Sequence, residues 1–204
     1  MKIGPKYKIA RRLGAAVFEK TQSAKFTVAE QKKLQNQKRG YKRAPSNYGM
    51  QLIEKQRVKY TYGISQKQLG NYIKQVAASG SKNPAADLYI KLETRLDTIL
   101  LRSGMAKTRF QARQAASHGH FMVNGRKATV PSMQIKKTDE IVLRDSKKES
   151  PLYSEYSEYF KNANIPTWVA ADPKTFSIKL IGEPTYNPTG LCFDLLEVIQ
   201  FFKR

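Results

Sequence analysis

Cysteine is almost absent. Cys192 stands alone among 204 residues, so no intramolecular disulfide forms and no cysteine-based zinc site can be built. Histidine is nearly as scarce. His118 and His120 make a His-Gly-His turn with no carboxylate or thiol near them in sequence, which reads as a satisfied or phosphate-facing histidine rather than a metal site. Acidic residues are short, 16 against 37 Lys+Arg. No window approaches the roughly 18 apolar residues that a membrane-spanning helix requires. Also missing are a G-x-x-x-x-G-K-[ST] phosphate loop, a G-x-S-x-G elbow and an H-E-x-x-H zinc helix. These absences exclude a helical integral membrane protein and leave no enzyme signal. Neither a metal nor a cofactor is expected.

What is present is positive charge, a formal +21. A surplus of that size repels itself and favours a polyanion, whose counterions are released as Lys and Arg neutralise phosphates. An anionic membrane surface is the rival partner, and the reading chosen is nucleic acid without membrane. The hydrophobic fraction, 40%, is too high for a fully disordered chain and sufficient for one or two modest cores. The charge is uneven. Residues 1–86 contain 19 Lys+Arg and only Glu19, Glu30 and Glu54, whereas residues 145–204 hold 7 basic and 8 acidic side chains. A basic leader, a basic folded module and a near-neutral tail that packs on something else follow from that asymmetry.

Along the chain, residues 1–21 are Arg-containing and acid-poor, which suits a basic arm that orders on RNA as well as an organellar transit peptide. Residues 28–38 have helix-forming composition with a thin apolar face. A basic loop spans 40–49 and includes Arg43. A short helix over 50–60 projects Lys55, Arg57 and Lys59. Ser65 and Gln68 form a capping box that opens a helix through about residue 78. Asn83-Pro84 starts another, in which Leu88, Leu92, Leu96 and Ile99 recur at helical spacing; Arg95 and Arg102 fall on a second face, and Gly104 closes it. Thr108 and Gln111 form a second box, and Lys107 and Thr108 sit where free backbone N–H groups attract phosphate. Arg109 and Arg113 are four apart, hence on one face. Asn124-Gly125 between apolar runs predicts a hairpin with a type I′ turn, followed by a strand at 141–143. In the tail, 154–162 reads as helix and 175–181 as strand. The last apolar run, 198–202, reads equally as a strand or a helix end.

Two consecutive helices each presenting an arginine pair point to RNA, because guanidinium forks grip phosphate bidentately. Tyr41, Tyr48, Tyr60, Tyr62 and Tyr72 alternate with Lys and Arg, a pattern suited to stacking on bases or riboses, although any one of them is equally explained by core packing. The triplet Arg95-Leu96-Asp97 is similar to one that carries the catalytic aspartate in pseudouridine synthases. Its place mid-helix between Leu92 and Leu100 makes Asp97 an ion-pair or surface residue instead.

Residues 92–97 (Leu-Glu-Thr-Arg-Leu-Asp), 107–114 (Lys-Thr-Arg-Phe-Gln-Ala-Arg-Gln), Val123-Asn124-Gly125 and Asp139-Glu140-Ile141-Val142 resemble the small RNA-binding domain named after ribosomal protein S-four. Gly4-Pro5-Lys6, Lys8, Arg11, Arg12 and Gly14 resemble an amino-terminal signature. Tyr48-Gly49, Gln51, Leu52, Glu54-Lys55-Gln56 and Tyr62-Gly63 resemble a second one, and Pro166-Thr167-Trp168 with Asp172 a third. The resemblance to the bacterial-type small-subunit ribosomal protein S-four family thus covers nearly the whole chain, its end resembling the family's terminal apolar strand.

That resemblance implies an α+β fold: a mostly helical domain with an inserted small α+β RNA-binding domain (two helices, a hairpin, a further strand) and a basic amino-terminal extension. The expected division is 1–44, 45–91, 92–145 and a carboxy-terminal segment, 146–204, that packs back. It implies a non-enzymatic constituent of the small ribosomal subunit, in the cytoplasm or, as the alternative left open, in an organellar ribosome. Such a protein binds a multi-helix junction of 16S-type rRNA, nucleates assembly, touches neighbouring small-subunit ribosomal protein five, and affects decoding accuracy beside the channel where mRNA enters. Residues expected to face RNA by the resemblance are Arg11, Arg12, Tyr48, Gln51, Lys55, Gln56, Arg95, Thr108, Arg109, Arg113, Asn124 and Arg126. Lys6, Lys8, Arg43, Arg57, Arg102, Lys107 and His118 join them on charge and placement. Some members bind zinc through an amino-terminal cysteine cluster, and residues 1–60 here contain no cysteine. The alternatives are an RNA-modifying enzyme or a ribosome-rescue or stress module carrying the same domain.

Overall fold

The structure, a computed structural model, describes residues 3–35, 45–154, 156, 160 and 164–203. Its elements in chain order are α1 (Lys6–Leu13), α2 (Ala24–Gln35), α3 (Asn47–Thr61), α4 (Gln66–Ala78), α5 (Pro84–Glu93), α6 (Leu96–Arg102) and α7 (Arg109–Ser117). Then come β1 (Phe121–Val123), β2 (Arg126–Lys127), β3 (Glu140–Leu143), α8 (Asp145–Lys148), α9 (Pro151–Ser154), β4 (Val169–Asp172), β5 (Ser177–Leu180) and α10 (Leu195–Lys203). The chain falls into two units, one formed by Met1–Leu88 with Asn187–Arg204, the other by Tyr89–Tyr186.

In the first unit, α1 buries Ala10 and Leu13 and stops at Gly14, whose φ of 61° a side chain would disfavour. Val17 and Phe18 complete a small core, with Phe26, Ile53 and Tyr60 packed against it. The stretch read as an arm ordering on RNA therefore has a core of its own, against which Ile53 and Tyr60 of α3 pack. The basic loop residues 36–44 lie outside the described residues. α3 starts three residues ahead of the expected helix, because the Ser46 hydroxyl accepts from the Gly49 N–H at 3.2 Å. α4 opens on the expected box: Ser65 Oγ accepts from Gln68 N at 3.2 Å and Gln68 Oε1 from Ser65 N at 3.3 Å.

The run at 198–202 is helical. Leu195, Val198 and Ile199 are buried at spacings of three and one, so α10 packs along α3 and α4. Strand pairing is thereby corrected for the chain's end, including the terminal apolar strand that the resemblance suggested. Gly70 marks a close approach: a Cβ there would lie 3.2 Å from the Phe202 ring.

The second unit is α+β. Among the described residues the sheet runs β2-β1-β3-β5-β4, antiparallel throughout. Ile141 opposite Ile178 joins the hairpin half to β5 and β4, so the sheet continues past residue 145. Its buried face carries Phe121, Ile141, Leu143, Ile178 and Leu180 against Leu96, Ile99, Leu100, Ala112 and Ala116 of α6 and α7. The hairpin turn is as its sequence predicts, with Asn124 at φ 50° and Gly125 at φ 74°.

The helix expected to run unbroken from Pro84 to Arg102 is two helices. The Thr94 hydroxyl donates to Ile90 O at 2.7 Å, and the chain then extends at Arg95 (ψ 142°). Leu96 N donates to Met133 O, Asp97 N to Pro131 O and Ile135 N to Thr94 O. Segment 131–135 thus takes the hydrogen bonds that a continuous helix would have made.

Candidate nucleic-acid interface

The break between α5 and α6 decides what the arginines do. Arg95 is not on a helix face but caps α6, and it is 0% exposed. Its Nε donates to Asp97 Oδ1 at 2.9 Å and its Nη2 to Asp97 Oδ2 at 2.7 Å. A guanidinium enclosed this way cannot reach a phosphate, so Arg95 leaves the RNA-facing set. A fork on a buried carboxylate satisfies both charges where water cannot.

The other arginines of this region are anchored yet open. Arg113 Nη2 lies 3.1 Å from Asp97 Oδ2, with its side chain 29% exposed against 2% for Asp97. Arg102 forks onto Glu93 at 2.9 Å through both Nε and Nη2, and is 36% exposed while Glu93 is fully buried. Arg109 Nη1 donates to Thr98 Oγ1 at 3.0 Å, and that hydroxyl donates in turn to Leu92 O. Tyr89 sits among them: burial and the Glu93 carboxylate push its hydroxyl above the usual value, while Arg102 and Arg109 pull it down.

At the start of α7, Thr108 Oγ1 accepts from Gln111 N at 3.2 Å. The Gln111 side chain accepts from Lys107 N rather than from Thr108, so the expected reciprocal box is half formed. Lys107 is exposed. His118, exposed at the other end, has its ring 6.0 Å from that of His120. Arg126 is exposed on β2.

Asn124 is exposed and bonds across its own turn: its Nδ2 donates to Asp139 Oδ1 at 2.8 Å and its Oδ1 accepts from Glu140 N at 3.0 Å. It fixes the hairpin from an exposed position. Two residues that the sequence reading passed over belong to this surface. Lys127 lays its stem over Gly119, and Phe110 is 44% exposed beside Arg109. An exposed aromatic off the buried Ala112–Ala115–Ala116 stripe was the available signal.

In the first unit, Lys8 and Arg12 are exposed, Lys6 lies with its Nζ 5.8 Å from the Phe18 ring centre, and Arg11 donates to Glu30 Oε2 at 3.0 Å. Tyr48 is exposed and its ring centre is 5.6 Å from that of Phe201. Gln56 is half-buried. Gln51 and Lys55 are buried against α10 instead of facing out. Gln51 Nε2 donates to Gln200 Oε1 at 3.1 Å, and Lys55 Nζ stands 4.2 Å from the Phe201 ring centre. Burial, then the neighbouring Lys59, lowers the Lys55 ammonium below its usual value. Arg57 Nε and Nη2 donate to Leu13 O at 2.9 and 2.7 Å, closing the carbonyl end of α1, and Nη1 pairs with Glu54. Burial against α10 corrects Gln51 and Lys55 to structural roles, while Arg57 closes α1 with its side chain 24% exposed. Arg43 lies outside the described residues.

Among the described residues no group of three or more His, Cys, Asp or Glu side chains is placed to hold a metal ion, and no helix is long and apolar enough to cross a membrane. Fold and charge together define an α+β protein of the class that binds RNA. Residues 1–94 match the ribosomal protein S4/S9 N-terminal domain and residues 94–141 the S4 domain. The chain is similar to "small ribosomal subunit protein uS4" of Persephonella marina, 36% identical over 98% of this chain and 97% of the relative. The protein of that name from Rhodopirellula baltica is 36% identical over 98% of each. That from Corynebacterium urealyticum is 41% identical over 78% of this chain and 79% of the relative. The chain belongs to the bacterial-type ribosomal protein S4 (uS4) family, whose members are structural proteins and not enzymes.

Proposed function

We propose that the chain is a structural constituent of the small ribosomal subunit in the cytoplasm, and that it binds small-subunit rRNA directly where several RNA helices meet. In that place it nucleates assembly of the subunit body, touches neighbouring ribosomal protein five, and lies beside the channel where mRNA enters, so that it contributes to decoding accuracy. The observation that carries the reading is the set of anchored, solvent-open arginines on α6 and α7 (Arg102, Arg109 and Arg113) in a chain of formal charge +21. Lys107, Phe110, His118, Arg126 and Lys127 extend that surface, while Lys8, Arg12 and Tyr48 offer a second one in the first unit. Forked cations fix phosphates in register, and an exposed ring beside them stacks on an unpaired base.

Crosslinking in cells followed by mapping of the recovered RNA tests it. The expected result is small-subunit rRNA crosslinked at helices that converge on one junction. Recovery of scattered mRNA or of no RNA would contradict the reading.

A further inference from the structure

Two carboxylates in the second unit sit where a protein that needs positive charge would seem better without them. Glu93 is 0% and Asp97 1% exposed, and each holds an arginine that faces solvent, Arg102 and Arg113 respectively. A surface that merely attracts polyanion would gain from deleting both acids. Holding the guanidinium planes is what the carboxylates do instead.

An unanchored arginine loses rotamer freedom when it grips a phosphate, and an arginine already fixed loses less. The charge cost of anchoring is met inside the fold. Asp97 takes a fork from the fully buried Arg95, so its negative charge is matched before Arg113 arrives. Arg109, held by Thr98, joins Arg95, Arg102 and Arg113, so four guanidiniums gather beside these two carboxylates.

We infer that Glu93 and the Arg95–Asp97 pair are positioning residues for RNA: they pre-set Arg102 and Arg113 as phosphate forks rather than stabilise the fold alone. The inference rests on the RNA-binding reading above and assigns to buried, acidic side chains a share of the affinity for an anion.

Glu93→Gln is the decisive variant, because Arg102 can turn to solvent when released, whereas Asp97→Asn would strand Arg95 in the interior without a countercharge. Binding of the full chain to an in-vitro transcript of 16S-type rRNA is measured for wild type, Glu93→Gln, Arg102→Gln and the double variant, with a melting curve for each. Glu93→Gln, although one unit more positive, is expected to bind about tenfold more weakly, and to cost nothing further once Arg102 is Gln. Equal or tighter binding by Glu93→Gln, or full additivity in the double variant, would overturn the inference while leaving the function reading intact. A wild-type chain that does not bind would overturn both. Should Glu93→Gln fail to fold, Arg102→Lys keeps the charge and loses the fork; several-fold weaker binding supports the inference and unchanged binding refutes it.

Discussion

Asn124 takes φ 50°, with both ends of its amide engaged by Asp139 and Glu140. Asn124→Ala loses those bonds and strains the turn, so it is expected to destabilise the chain by about 1–3 kcal/mol in urea unfolding. Asn124→Gly, which keeps the backbone conformation, is expected to cost less. His120 sets a pH dependence. Burial, and after it Lys147, His118 and Arg144, hold its imidazole below the usual 6.5. The unfolded chain therefore takes up the proton first. His120's contribution is complete above that value and is lost as pH falls toward the depressed folded one. Melting temperature is expected to drop between about pH 7.5 and pH 5 in wild type, and to drop less in His120→Gln. Arg109→Ala and Arg113→Ala are each expected to cost about 1–3 kcal/mol of RNA affinity in a titration, with the melt little changed. At this scale the sequence showed the type I′ turn, because its signal is local. It hid the fate of Arg95, because whether a guanidinium meets carboxylate or water depends on a chain break that spacing does not reveal.

Helix α10 shows how far periodicity reaches. Starting from Val198, five apolar or amide residues suit either state; Leu195, three residues earlier, supplies the helical spacing. Leu195 is fully buried in the first unit, so Leu195→Ala is expected to cost about 2–5 kcal/mol by urea unfolding. The same packing explains why Gln51 and Lys55 looked like RNA ligands and are not: α10 covers the face of α3 that carries them. The opposite error arises at α5 and α6. Leu88, Leu92, Leu96 and Ile99 are all buried, so the apolar rhythm runs through the break as if none existed. Only the backbone bonds from Leu96 and Asp97 to segment 131–135 show it, and nothing at 92–97 announces a partner some forty residues on.

Over the whole molecule, composition was the most legible layer: 37 basic against 16 acidic side chains favour an anionic partner. Some of those cations are committed inside the protein, as Arg95 is, and the proposed function assigns exposed ones to RNA. The central claim is that enough of them close on phosphates to dominate binding. Affinity for 16S-type rRNA measured across salt concentration tests it most directly. If about eight phosphates are neutralised, the logarithm of affinity falls against the logarithm of salt with a slope of roughly −6 to −7. An affinity unchanged between low and moderate salt would contradict the account.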